Sequence, residues 1–215
     1  MARIEQTLTD KAYEIIEEQI ITQELAPGEL LSEKLLSQEL NIGRTPVREA
    51  LQRLAQGGLV NILPRRGIMV SEINVGAQLR MLEVRKEIER VLARSATQRA
   101  TEKEREQFKK LASQFRQSAV QEDDLLFMRV DKEFNELIAK TARNEFAEKA
   151  ISLMSGLSRR FFYNFYKETA NLKTSADLHA KVAEAVASKK IDQAMEASDN
   201  LMAHIVELTK QAMDY

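Results

Sequence analysis

Apolar residues recur along this chain with helical spacing almost from end to end. Tyr13, Ile16, Ile20 and Ile21 mark a first helix over 7–24, which Pro27-Gly28 ends. Ser32 is placed to cap a short helix over Glu33–Leu40, with Leu35, Leu36 and Leu40 as its apolar side. Asn41-Ile42-Gly43 reads as a tight turn, since asparagine tolerates the left-handed backbone. A third helix follows from Arg44 to about Gln56. Pro46 falls in its first turn, Val47, Ala50, Leu51 and Leu54 share one face, and Gly57-Gly58 stops it. Only then does the period change: 59–63 and 67–71 read as two short strands joined by Pro64-Arg65-Arg66. Beyond Asn74 the spacing is helical again, over 76–99, 102–120, 123–141, 145–167, 175–188 and 190–213. Thr101 and Glu104 are spaced as a capping box. The pattern predicts a mainly α protein: a small domain over 1–73 with three helices and a two-stranded hairpin, then an all-helical bundle of about six helices over 74–215.

Charge sharpens the first domain. The formal net charge is −1, which by itself says nothing of nucleic acid. Yet between residues 40 and 70 the chain carries Arg44, Arg48, Arg53, Arg65 and Arg66 against the single acid Glu49. On the third helix, Arg44, Thr45, Arg48 and Gln52 lie on the arc beside the apolar face. A helix of about 10–12 Å diameter fits the major groove, where such side chains meet bases and phosphates. Helix, short helix, turn, basic helix and basic hairpin is the layout of a winged helix-turn-helix. Single surface arginines usually form solvated salt bridges; five gathered on one helix and one hairpin point to double-stranded DNA.

Composition excludes much else. The absence of Cys removes disulfides, thiolate zinc sites and a cysteine nucleophile. Two histidines, His179 and His204, cannot make a three-histidine metal centre within one chain. The sequence contains no Gly-rich phosphate loop, no Gly-x-Ser-x-Gly and no His-Glu-x-x-His, so an enzyme is not expected. No run of 18 apolar residues predicts a membrane span, and the opening Met-Ala-Arg-Ile-Glu-Gln lacks the apolar run of a signal peptide. The chain reads as cytoplasmic.

In the second domain, polar residues on apolar faces are the candidate chemistry. On helix 76–99 an apolar arc of Met81, Val84, Ile88, Val91 and Leu92 is bordered by Arg85, whose burial requires a partner: a carboxylate of the protein or of a ligand. Asp131 and Asn135 share a face with Phe127, Met128, Phe134 and Ile138. His179 lies among Leu178, Val182, Ala183 and Val186, and His204 borders Ala197, Leu201 and Leu208. Arg159 shares a face with Phe162, Tyr163 and Tyr166, as pocket lining or as core aromatics beside a surface arginine. One polar site at the bundle centre is the expectation.

The stretch Pro27-Gly28-Glu29-Leu30-Leu31-Ser32-Glu33, then Arg44-Thr45-Pro46-Val47-Arg48-Glu49-Ala50-Leu51, with Arg53-Leu54, Gly58-Leu59-Val60 and Pro64-Arg65-Arg66-Gly67, resembles the DNA-binding domain of GntR-family bacterial transcription regulators. The resemblance implies DNA contacts from Arg44, Thr45, Arg48 and Gly67, to which the wheel and charge add Gln52, Arg53, Arg65 and Arg66. Gly43 stands where the family usually has a serine cap. Leu82-Glu83-Val84-Arg85-Lys86-Glu87-Ile88-Glu89, Asp131-Lys132-Glu133-Phe134-Asn135 with Asn144, and the two histidines resemble the FCD ligand-binding domain of the FadR branch. That implies a homodimer on a palindromic operator, a repressor more often than an activator, controlled by a small carboxylate. The effector would be held by Arg85, Asn135, Arg159 and Tyr163. It also implies a zinc- or nickel-like divalent metal on Asp131, His179 and His204, though Asn135 replaces a family histidine and an amide oxygen is a weak zinc ligand. Two alternatives remain: a metal-free regulator responding to an acyl thioester, and a helical metal-dependent enzyme.

Overall fold

A computed structural model describes residues 6–169 and 172–212, with the backbone alone for 166–169. The side chain of Tyr166 therefore lies outside the described residues. The elements run α1 (Leu8–Ile21), β1 (Leu30–Leu31), α2 (Glu33–Glu39), α3 (Arg44–Gln56), β2 (Val60–Leu63), β3 (Gly67–Val70), α4 (Val75–Arg99), α5 (Glu102–Gln121), α6 (Asp124–Thr141), α7 (Glu145–Thr169), α8 (Leu172–Ala187) and α9 (Ile191–Gln211). The chain is mainly helical, as its spacing predicts. It forms two compact units: Met1–Asn74 with Leu153–Asn164, and Val75–Ser152 with Phe165–Tyr215.

In the first unit the caps act as read from the sequence. Ser32 Oγ accepts from Leu35 N at 3.4 Å, and Asn41 takes φ 51° in the turn before α3. The buried sides of α1 (Ile16, Ile20), α2 (Leu36) and α3 (Val47, Leu51, Leu54) close on Leu31, Val60, Ile68 and Val70 of the sheet. Each of these side chains contributes about 1.5–3 kcal/mol on full burial. The sheet has three strands, in the order β1-β3-β2, all antiparallel. The pattern predicts only the β2–β3 hairpin. Two residues are too few to show a period, and β1 exists because Leu30 and Leu31 pair with Met69 and Ile68.

The middle of α7 joins this unit through specific contacts. A Cβ at Gly156 would lie 2.7 Å from Leu59 Cδ1 and 3.0 Å from Glu17 Oε1, so only glycine lets the helix approach this closely. The buried Arg160 guanidinium donates to the carbonyls of Ser71 (2.8 Å) and Glu72 (3.2 Å).

The second unit packs α5 on α8 and α4 on α9, with α6 against α5. Phe108, Phe115, Phe127 and Phe134 form its aromatic centre, with 5.6–6.1 Å between ring centroids. Thr101 and Glu104 form the expected capping box. Arg105, buried on α5, donates to Val186 O (2.7 Å) and Thr97 O (2.9 Å) near the C-terminal ends of α8 and α4, where carbonyls lack helical partners.

One face is corrected. Of the apolar arc of α4, Leu92 is buried as expected and Met81, Ile88 and Val91 are half-buried, but Val84 is 53% exposed, while Leu82, Ala93 and Ala96, outside that arc, are buried. Val84, Ile88 and Val91 line a shallow groove with Ala147. Helix α4 has apolar residues on two sides, and the wheel alone did not show which side is the more deeply buried.

Candidate nucleic-acid interface and ligand site

The exposed edge of the first unit is built by α3 and the wing. Arg44, Thr45, Arg48, Gln52 and Arg53 all lie on exposed positions of α3, and Arg65, Arg66 and Gly67 at the exposed hairpin tip. Arg65 and Gly67 hold positive φ (63° and 101°), which bends the tip tightly; Gly67 has open space around it. Gly43 caps α3 without a side-chain hydrogen bond, so no hydroxyl competes for the first-turn N–H groups at the positive end of the helix dipole.

The five arginines fall into two sets. Among the described residues, Arg44, Arg65 and Arg66 have no ion pair. Arg53 is tied down: its Nη1 donates to Asp10 at 2.7 Å, and its guanidinium lies 4.5 Å from the centroid of the Tyr13 ring. The hydroxyl of Thr7 and then Arg53 hold the Asp10 carboxyl below its ordinary range. Arg48 is gripped by Glu33 of α2. Its Nε lies 3.0 and 3.1 Å from the two carboxylate oxygens and its Nη2 2.8 Å from Oε2.

In the second unit the polar residues of α6, α8 and α9 converge. The His179 ring is buried, 4.9 Å from Phe115, 5.3 Å from Phe127 and 6.1 Å from Phe134 between centroids. Its Nδ1 lies 2.7 Å from Ser175 O, one turn earlier, and so donates to that carbonyl. Nε2 then faces Asp131 Oδ1 at 3.1 Å. His204 Nε2 lies 3.0 Å from Ser175 Oγ. Burial and then the neighbouring His179 hold the His204 imidazole below its ordinary pKa. Ser175 thus links both histidines, through its carbonyl and its hydroxyl. Asn135, half-buried, follows Asp131 by one turn of α6.

The metal expectation meets this geometry only in part. Among the described residues no group of three His, Asp or Glu is gathered for an ion. Asp131 and His179 are two donors, with the carbonyl behind His179 that metal-binding imidazoles usually have, but His204 is turned to Ser175. Two donors fall short of the three or four that hold zinc, and the residues present do not by themselves fit a metal centre.

Two families match the chain. "Bacterial regulatory proteins, gntR family" matches residues 8–70, and "FCD domain" matches 80–204, more than half of the chain. The chain is a GntR-family regulator with an FCD domain. It is 27% identical over 206 residues to the HTH-type transcriptional repressor RspR of Escherichia coli K12, covering 96% of this chain and 90% of that protein. It is 24% identical to the Nta operon transcriptional regulator of Aminobacter aminovorans over 195 residues, 90% of this chain and 89% of that protein. Its fold matches E. coli McbR/YncC with a TM-score of 0.82 at 20% identity, covering 96% of this chain and 99% of that one. This GntR regulator is a DNA-binding transcription regulator, and its described helices include none long and apolar enough to cross a membrane.

Of the residues expected to hold the effector, Arg85 and Arg159 each have a carboxylate partner within the protein. Arg85 is buried, but Glu89, four residues on, accepts from both Nε (3.0 Å) and Nη2 (2.9 Å). Its partner is internal. Arg159 and Tyr163 belong with the first unit, while Asp131, His179 and His204 are in the second. Arg159 pairs with the buried Glu17 at 2.6 Å, and Glu17 also accepts from Tyr13 Oη at 2.9 Å. Burial and then the Glu17 charge push the Tyr13 phenol up. The expectation missed Glu17, Glu33, Glu89 and Ser175. Glu89 and Ser175 carry a signal, each being four residues from the side chain it serves; Glu17 and Glu33 lie 142 and 15 residues from theirs.

Proposed function

We propose that this protein is a homodimeric repressor that reads a palindromic operator with α3 and the wing and releases it on binding a small organic acid. The observation that carries the DNA reading is the set of arginines without ion-pair partners on one exposed edge. Arg44 at the start of α3 and Arg65 and Arg66 at the wing tip offer their donors to phosphates without first breaking an ion pair. Thr45, Arg48 and Gln52 lie on the same exposed face of α3 for base edges, and Gly67 lets the wing backbone approach closely. Twofold symmetry places two such helices in successive major grooves.

The effector reading rests on Ser175, His179 and His204, with Asn135 one turn of α6 beyond Asp131. A short carboxylate would find donors in the His204 imidazole and the Asn135 amide, while Arg85 is already paired with Glu89. Effector binding would favour one arrangement of the recognition helices by about 1–3 kcal/mol, the usual scale of such coupling.

The test is a gel-shift titration with an operator selected by the protein itself. Arg48→Ala abolishes specific binding and leaves the melting temperature within about 1 °C, as expected for an exposed side chain. A panel of short carboxylates, with and without zinc or nickel, raises Tm and weakens operator binding. Unchanged affinity in Arg48→Ala overturns the DNA reading. A panel without effect on Tm and operator affinity overturns the effector reading.

A further inference from the structure

Glu33 is an acid on the face that should meet a polyanion, which makes its bidentate hold on Arg48 the least expected contact of the first unit. Its carboxyl is kept below the ordinary carboxylate range chiefly by Arg48 itself. Both partners are accessible, with side-chain exposures of 58% for Arg48 and 29% for Glu33. Solvent-accessible pairs contribute about 1 kcal/mol or less to stability in most cases, so stability is not the chief consequence of this contact.

What it does is choose an edge. A guanidinium has two edges that can donate a parallel pair of hydrogen bonds, the Nε–Nη2 edge and the Nη1–Nη2 edge. Glu33 occupies the first, with Nε 3.0 and 3.1 Å from its oxygens and Nη2 at 2.8 Å. Both N–H groups of Nη1 and the second one of Nη2 remain. They lie on the end-on edge, whose spacing matches O6 and N7 of guanine in the major groove. The rotamer of a flexible side chain is thereby fixed before DNA arrives, so less side-chain entropy is lost on binding.

We propose that Glu33 is a positioning residue for sequence readout: it presents the end-on edge of Arg48 to one guanine in each half-site. This rests on the DNA reading above and adds that Arg48 reads a base rather than a phosphate. Glu33 raises specificity and lowers general affinity, because its charge repels every duplex alike.

The experiment is selection from a randomised duplex pool by the full-length protein and by Glu33→Gln and Glu33→Ala, followed by affinity for the wild-type-selected duplex and for a random duplex. In the variants, enrichment of one dyad-related pair of guanines is lost. Affinity for the selected duplex falls roughly ten- to hundredfold, the usual effect of removing a bidentate base contact, while random-duplex affinity holds or rises. Thermal melts confirm that both variants fold; should Ala destabilise, the nearly isosteric Gln carries the test. Retained enrichment with an unchanged ratio of affinities overturns the inference and leaves the DNA reading standing. An equal fall on both duplexes also overturns it, since it assigns Glu33 a structural part. If the wild type enriches no sequence, the DNA reading falls and the inference falls with it.

Discussion

The exposed arginines of the α3 N-terminus and wing tip and the buried arginines of α4 and α5 obey opposite rules. In the first unit, Arg44, Arg65 and Arg66 stand exposed without an ion pair among the described residues, where water solvates them until a phosphate replaces it. In the second, Arg85 and Arg105 are buried, and each brings its partners from its own fold: Glu89 for one, the carbonyls of Thr97 and Val186 for the other. A surface cation can wait for a ligand; a buried one cannot, because an unpaired charge in the interior costs several kcal/mol. An arginine on an inward helical face is therefore poor evidence for a ligand carboxylate.

The largest effect that would break this contrast is at Arg85. Arg85→Ala leaves Glu89 buried without its guanidinium and lowers stability by about 3–5 kcal/mol in urea titration, whereas Arg85→Met with Glu89→Leu recovers most of that. A drop below about 1 kcal/mol for the single variant would mean that the pair is not desolvated. Next comes Arg44→Ala, which leaves the urea midpoint unchanged and weakens binding to the selected operator at least about tenfold in anisotropy titrations. Arg65→Ala combined with Arg66→Ala weakens binding to every duplex alike and reduces the slope of log affinity against log salt by about 2, roughly 0.9 for each phosphate no longer neutralised. A sequence-dependent effect would place the wing on bases instead.

The smallest effect concerns His204. Its folded-state pKa lies below the ordinary value of 6.5, so the unfolded chain binds more protons between the two values. Stability then rises with pH across that window and falls as pH drops below about 6.5. His204→Gln flattens the acid side of the Tm–pH curve. An unaltered slope would show that the imidazole is solvated in the folded protein.

Most of the fold was legible because helical spacing is a long-range average. The bounds of α3 match the reading, and the Ser32 and Thr101 caps are local chemistry. What escaped was local in size but tertiary in origin. The two-residue β1 is created by its partner strand. The outward turn of Val84 was hidden by the two-sided helix α4. Of the candidate site, the exposed arginines were legible from charge and period, and the approach of Asp131 to His179 from their shared inward faces. The placement of Arg159 was not: its aromatic neighbours suggested a pocket, and its carboxylate partner is Glu17, on a helix 142 residues earlier.

The sharing of α7 sets how the protein can be dissected. Because Leu153–Asn164 belongs to the first unit, cutting the chain after Asn74 does not release a finished DNA reader. Such a fragment keeps the Glu17 carboxylate but lacks the Arg159 guanidinium, and it leaves the carbonyls of Ser71 and Glu72 without Arg160. The natural complement is a peptide carrying residues 153–164, and reconstitution of that split protein is the route to a minimal operator-binding module.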